Sequence, residues 1–149
     1  MKIEDLIGEA TEYDKKLALE EKKPKSWCKS VSAFANTRGG ALIFGISDDN
    51  EIMGLNSPEK DAEKISEIIK SRLDPIPEFN LSFSKMNDGK VLIILEIFKG
   101  SETPYYYSSD GVLEAFVRIG NESVKATSTE LTRLVLRGKN TSYDLEFNL

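Results

Sequence analysis

Residues 30–55 read SVSAFANTRGGALIFGISDDNEIMGL, and this stretch decides the fold. Just before it and into it, Trp27, Val31, Phe34 and Ala35 recur at helical spacing. The pattern stops at Gly39-Gly40, where Gly39 stands as a helix C-cap. Ala41 to Ile46 is continuous and apolar, as a strand covered on both faces would be. Asp48-Asp49-Asn50-Glu51 is turn chemistry, and Ile52 to Leu55 is expected to return as a short strand. A helix that turns into a buried strand, which then delivers paired acids to a sheet edge, sets a mixed α/β frame.

Upstream, residues 3–8 predict a short helix and 10–14 a short extended segment. Downstream, Ser57 and Pro58 form a helix start, with Ala62, Ile65, Ile69 and Leu73 as its buried stripe. Pro75 and Pro77 end it. Phe79 to Lys85 and Lys90 to Phe98 read as strands joined through Asn87-Asp88-Gly89. Residues 99–111 read as a loop holding Pro104 and the run Tyr105-Tyr106-Tyr107. Leu113 to Ile119 is a further strand, closed by Gly120-Asn121. Thr127 and Glu130 make a capping box for a last helix with Leu131, Leu134 and Val135 inward, ended by Gly138. The expected class is α/β (α+β): a mixed sheet of about five to six strands packed against two or three helices. Residues 1–138 form the domain, and 139–149 a C-terminal tail or linker toward a further domain.

The 149 residues fit one domain, and a 40% hydrophobic content supplies a core. No apolar run is long enough to span a bilayer. The N-terminal MKIEDLIGEATEYDKK carries acids where a signal peptide needs an apolar core, so a cytoplasmic location is expected. Cys28 is the one cysteine, which excludes an internal disulfide. Histidine is absent, which removes His-based acid–base catalysis, Ser-His-Asp and Cys-His systems, and ordinary zinc sites. Any bound metal would be a hard cation on oxygen ligands, Mg²⁺ or Mn²⁺.

The net charge of −5 opposes nucleic acid at first sight, but the charges are unevenly placed. Residues 22–38 carry Lys22, Lys23, Lys25, Lys29 and Arg38 and no acid. Residues 118–139 carry Arg118, Lys125, Arg133, Arg137 and Lys139 against Glu122 and Glu130. Segment 47–78 is acidic. A polarised molecule follows, with ordinary solvated faces as the alternative.

These residues resemble the Schlafen AlbA-type domain, the second AlbA family. The family pattern runs from a Glu-Phe-Lys element through Ser-Ala-Phe-Ala-Asn-Thr-x-Gly-Gly into a strand ending Gly-Val-x-Asp. It continues through a Gly-Leu turn to a late Arg-x-Gly. Here Ser32-Ala33-Phe34-Ala35-Asn36-Thr37 with Gly39-Gly40 matches closely. So do Gly45-Ile46-Ser47-Asp48-Asp49, Gly54-Leu55 and Val117-Arg118-Ile119-Gly120-Asn121, and Pro104 falls where the family usually has a proline. The match runs over roughly residues 8–137, a span long enough to be specific. Where the family has Glu-Phe-Lys, this chain has Glu12-Tyr13-Asp14. The resemblance implies a nucleic-acid-binding module, DNA or RNA, in a bacterial transcriptional regulator or a "divergent AAA" protein. It also implies a homodimer. Neither a P-loop nor a Gly-x-Gly-x-x-Gly sequence occurs, so the usual ATP motif is not in this chain.

The candidate contacts to nucleic acid are Lys22, Lys25, Lys29, Asn36, Thr37, Arg38, Arg118 and Lys125, since lysine and arginine suit phosphate oxygens. Arg118 has an alternative role as a structural arginine paired to Asp48 or Asp49. Asn36 and Thr37 have the alternative of helix capping. Some eukaryotic Schlafen relatives are RNA endonucleases using glutamates near the Glu-Phe-Lys element and a strand-end aspartate. By that resemblance Glu9, Glu12, Asp48 and Asp49 are candidate catalytic residues, with Glu12 and Asp48 as metal ligands. The alternative for Asp48-Asp49 is turn building, and it is the favoured one. A third class is a protein-interaction or ligand-sensing domain. Tyr105–Tyr107 invite base stacking but are expected to pack on the sheet, and Trp27 and Cys28 belong to the core.

Overall fold

Short helices and strands alternate in the order the patterning sets. The computed structural model describes residues 2–9 and 11–147. The elements are α1 (Glu4–Ile7), β1 (Tyr13–Lys16), α2 (Lys25–Asn36), β2 (Gly40–Phe44), α3 (Pro58–Arg72) and β3 (Leu73–Asp74). After them come β4 (Phe79–Lys85), β5 (Val91–Ile97), β6 (Tyr106–Ser109), β7 (Val112–Ile119), β8 (Glu122–Lys125) and α4 (Ser128–Phe147). The α+β class holds, but the strands divide between two four-stranded sheets, β1-β2-β5-β4 and β3-β6-β7-β8. In the first, β1 runs parallel to β2 and the other pairs are antiparallel. The second is antiparallel throughout.

Helix α2 lies between the sheets and is buried almost all round, from Trp27 to Asn36. On one side it meets Leu42 and Phe44 of β2 and Ile93, Leu95 and Ile97 of β5; on the other, Tyr107 and Phe116. Trp27 stands edge-on to Phe44, ring centres 5.8 Å apart. Full burial of Phe34 or Phe44 contributes about 1.5–3 kcal/mol each. The far face of β2 and β5 packs Ile43 and Leu92 with Ile3 and Ile46, so β2 is covered on both faces as its apolar run requires. Gly39 makes the reversal from α2 into β2. Its φ is +77°, and its N–H donates to the Phe34 carbonyl at 2.8 Å.

Several boundaries differ from the sequence expectations. The extended segment near the N-terminus lies at Tyr13–Lys16, because that is the length that pairs with Ala41–Phe44; residue 10 of the expected span lies outside the described residues. The return strand at 52–55 reduces to a single bridge between Ile46 and Ile52. The tyrosine run is only partly loop: Tyr105 stays in it, while Tyr106–Ser109 pairs with β7 around a hairpin turn at Asp110-Gly111, both with positive φ. A second hairpin around Gly120 adds β8. These two strands complete the second sheet. The capping box forms as expected, Thr127 N–H to Glu130 Oε1 at 2.8 Å and Glu130 N–H to Thr127 Oγ1 at 3.2 Å. Gly138 does not end α4, which runs to Phe147; residues 148–149 of the expected tail lie outside the described residues. Among the described residues no helix is long and apolar enough to cross a membrane.

Candidate nucleic-acid interface

The cations named from the sequence fall into two groups. The first lines a groove of about 780 Å³ at the start of α2. Lys22, Lys23, Lys25 and Lys29 come from the loop before α2 and its first turns, and Arg72 from the last turn of α3. The groove's one carboxylate is Glu114 of β7. Lys25 Nζ lies 2.7 Å from Glu114 Oε1, and Lys125 Nζ 3.7 Å from Oε2, which brings Lys125 to the same rim. The hydrogen bond from Lys25 chiefly, with the charges of Lys25 and Lys125, holds the Glu114 carboxyl below the usual range, against the opposing effect of burial. No acid sits in the first turn of α2, so no carboxylate there offsets the positive end of the helix dipole. The Ser26 hydroxyl at this groove is buried and has no hydrogen-bond partner. Among the described residues, no carboxylate is within ion-pair distance of Lys22, Lys23 or Lys29.

The second group is neutralised from within. Arg118 of β7 is almost wholly buried, its guanidinium 4.8 Å from the centre of the Phe34 ring. It grips Asp14 of β1 through two bonds, Nη2 to Oδ1 at 2.6 Å and Nη1 to Oδ2 at 3.1 Å. Ser123 accepts a third at 2.9 Å. Ser30 donates to the same Asp14 oxygen. Arg118 is therefore the structural arginine of the alternative reading, but its partner is Asp14, with Glu12 at 3.8 Å, and not Asp48 or Asp49. Asp14 stands where the family pattern has lysine. Arg38 is exposed and pairs with the other side of Glu12. Arg38 and Arg118 thus share one carboxylate, while Lys125 belongs with Lys25. The three do not make a common open patch.

The acids come together only in part. Glu12 is held between Arg38 and Arg118. Asp48 and Asp49 are exposed in the turn, where Lys15 Nζ donates to the Asp48 carbonyl and the Asn50 side chain. Asp48 and Glu12 line the same cleft of about 790 Å³ between β1 and β8, but Glu9 does not. Among the described residues no group of three or more His, Cys, Asp or Glu is placed to hold a metal ion. Glu12, held between two guanidinium groups, does not fit a Mg²⁺ or Mn²⁺ centre.

Asn36 is fully buried. Its amide donates to the Tyr105 and Phe116 carbonyls at 3.0 and 2.9 Å, and its oxygen accepts from the Tyr105 N–H at 2.7 Å. It ties α2 to the second sheet and offers no surface to a ligand. Thr37 bonds back to the Ala33 carbonyl at 2.7 Å, closing the helix end. Tyr105 and Tyr107 pack in the core. Burial pushes the Cys28 thiol far above its ordinary range, with Arg72 opposing, so it is inert. Arg72 is the groove cation that the sequence reading does not name. Lys23 sits in the visible lysine run, whereas nothing local in the sequence of α3 signals that Arg72 meets that run.

The sequence pattern of the Schlafen AlbA_2 family matches residues 9–127. The fold is similar to the N-terminal domain of a RecG-related protein from Nitrosomonas europaea: TM-score 0.56, 23% identity, covering 84% of this chain and 89% of that one. It is also similar to the DIP2311 protein from Corynebacterium diphtheriae: TM-score 0.57, 17% identity, 84% of this chain but 23% of that one. The chain spans about a quarter of the latter's length. At these identities the likeness is one of fold. The family pattern covers most of the chain and takes in α2, β2 and the Arg118 strand, and the chain belongs to the Schlafen AlbA_2 family.

Proposed function

We propose that this chain is a nucleic-acid-binding module of a bacterial transcriptional regulator, holding the phosphate backbone in the basic groove at the start of α2. The carrying observation is that groove: Lys22, Lys23, Lys25, Lys29 and Arg72 with Glu114 as the one carboxylate, in a chain of net charge −5. A local cationic surface of this kind binds polyanions by counterion release and needs no base readout. Family membership supports the reading. So does the RecG-related protein of similar fold, whose name ties it to an ATP-dependent DNA helicase. Arg118 and Asn36 are buried and are left out of the contact surface, while exposed Arg38 lies apart from this groove, beside Glu12. The module is proposed to act as a homodimer, by analogy with other AlbA-type domains.

Fluorescence anisotropy with labelled single- and double-stranded DNA and RNA tests this across about 50–200 mM salt. The expected result is binding that weakens steeply with salt and leaves the oligonucleotide intact with or without Mn²⁺. Replacing Lys22, Lys25 and Lys29 by alanine together should lower the salt slope by about three. Lack of binding at the lowest salt would sink the reading in favour of a protein-contact domain. Mn²⁺-dependent fragmentation would turn it into the nuclease.

A further inference from the structure

Two sheets leave four edges: β1, β4, β3 and β8. Open edges invite pairing with other chains, and proteins usually guard them with charge or brevity. β1 carries Asp14, Lys15 and Lys16, and Arg118 Nη2 lies 3.5 Å from its Tyr13 carbonyl. β8 carries Glu122 and Lys125, and β3 is two residues long. β4 is different. Its seven residues, FNLSFSK, hold no charge before the final Lys85, and Phe83 is 53% exposed.

Two flanking hydrogen bonds set the direction of its backbone groups. Phe98 N–H donates to the Glu78 carbonyl at 3.0 Å, and Met86 N–H to the Lys90 carbonyl at 2.8 Å. Those contacts fix the hydrogen-bonded phase of the β4–β5 ladder, whose register pairs Ser82 with Ile94. Alternation then aims Asn80, Ser82 and Ser84 at β5, and the N–H and C=O groups of Phe79, Leu81, Phe83 and Lys85 outward.

We propose that this edge pairs with the same edge of a second copy of this chain, antiparallel, across a two-fold axis at Ser82. The strand complements itself in that register. Leu81 faces Phe83 of the partner subunit, and Phe79 faces Lys85 of the partner subunit. Every outward backbone group of β4 gains a hydrogen bond, exposed Phe83 gains an apolar neighbour, and no like charges are opposed. A shift of the register in either direction leaves outward groups unmatched. Ser82 meets Ser82 of the partner subunit at a non-hydrogen-bonded position, where Cα atoms approach to about 4.5 Å. The two copies then share one continuous sheet. The proposal supplies the interface for the homodimer suggested above and does not rest on nucleic-acid binding.

Sedimentation velocity of the 149-residue chain over a concentration series, without nucleic acid, is the test. The expected result is a monomer–dimer equilibrium that Phe83→Lys weakens by about tenfold or more. At concentrations low enough for the parent chain to be monomeric, the thermal midpoint of that variant should match the parent's, because the ring is half exposed. Under mild oxidation Ser82→Cys should form a covalent dimer, while Ser101→Cys, in an exposed loop, should not. A chain that stays monomeric with no Ser82→Cys dimer overturns the proposal. So does a dimer indifferent to Phe83→Lys in which Ser82→Cys fails to link. Either failure leaves the basic groove and its salt-dependent binding to stand or fall on their own test.

Discussion

Arg118 and Asp14 join the two sheets. Arg118 stands on β7 and Asp14 on β1, and α2 contributes Ser30 to the same contact. A buried guanidinium is tolerable only when paired and hydrogen-bonded. Asp14→Ala should therefore cost about 3 kcal/mol in urea unfolding, by stranding the charge. Asp14→Leu with Arg118→Met should recover much of that loss, because the desolvation of both ions is removed with them. Full cost in the double variant would show that the pair itself is stabilising. Glu114 ties stability to pH. Its carboxyl is lower in the folded chain than in the unfolded one, so its stabilisation is present above the ordinary carboxylate range. That contribution is lost as pH falls through the lowered folded value. Glu114→Gln should flatten the acid limb of the stability–pH curve while leaving its alkaline limb alone. The sequence exposes Arg118 as a functional or structural candidate. It does not expose the partner, since Asp14 lies 104 positions away and no periodicity links them.

At the scale of elements, α4 separates local signals from tertiary ones. Its start is written in Thr127 and Glu130, which bond each other reciprocally. Gly138 reads locally as a stop, yet the helix passes through it. The reason is contact: a Cβ at 138 would lie 2.1 Å from the Thr103 carbonyl oxygen. Thr103 Oγ1 bonds the Leu134 carbonyl at 2.7 Å, and Arg137 reaches the Asn36 carbonyl, so this turn of α4 is pressed onto the loop and the end of α2. In an exposed helix Gly→Ala stabilises by about 1 kcal/mol. Here the sign should reverse, and Gly138→Ala should lower stability by about 1–3 kcal/mol through overpacking, read as a drop in thermal midpoint. A rise in midpoint would mean that α4 does not dock in this way. The β6–β7 hairpin teaches a related lesson. Asp110-Gly111 is a legible turn signal, but the tyrosines before it look like loop until their pairing with β7 is known.

At the scale of the whole molecule, charge is sorted by folding. Segments 22–29 and 72 meet in one groove, and Lys125 comes to its rim, while Arg38 and Arg118 go to the carboxylates of β1. Because Glu12 and Asp14 are already held by arginine, millimolar Mn²⁺ should leave the thermal midpoint unchanged. A ligand at about 100 times its Kd would add about 2.7 kcal/mol, an easily read shift; seeing one would restore the metal reading. The helix of residues 25–36, the double-covered strand after it, the α4 cap and the lysine run were determined by the sequence alone, because each depends on neighbours within a few positions. The division into two sheets, the Asp14 partner of Arg118, the burial of Asn36 and the arrival of Arg72 were decided only in three dimensions. Each of those depends on which distant backbone and side-chain groups must satisfy one another once water has been excluded, and no local pattern encodes that choice.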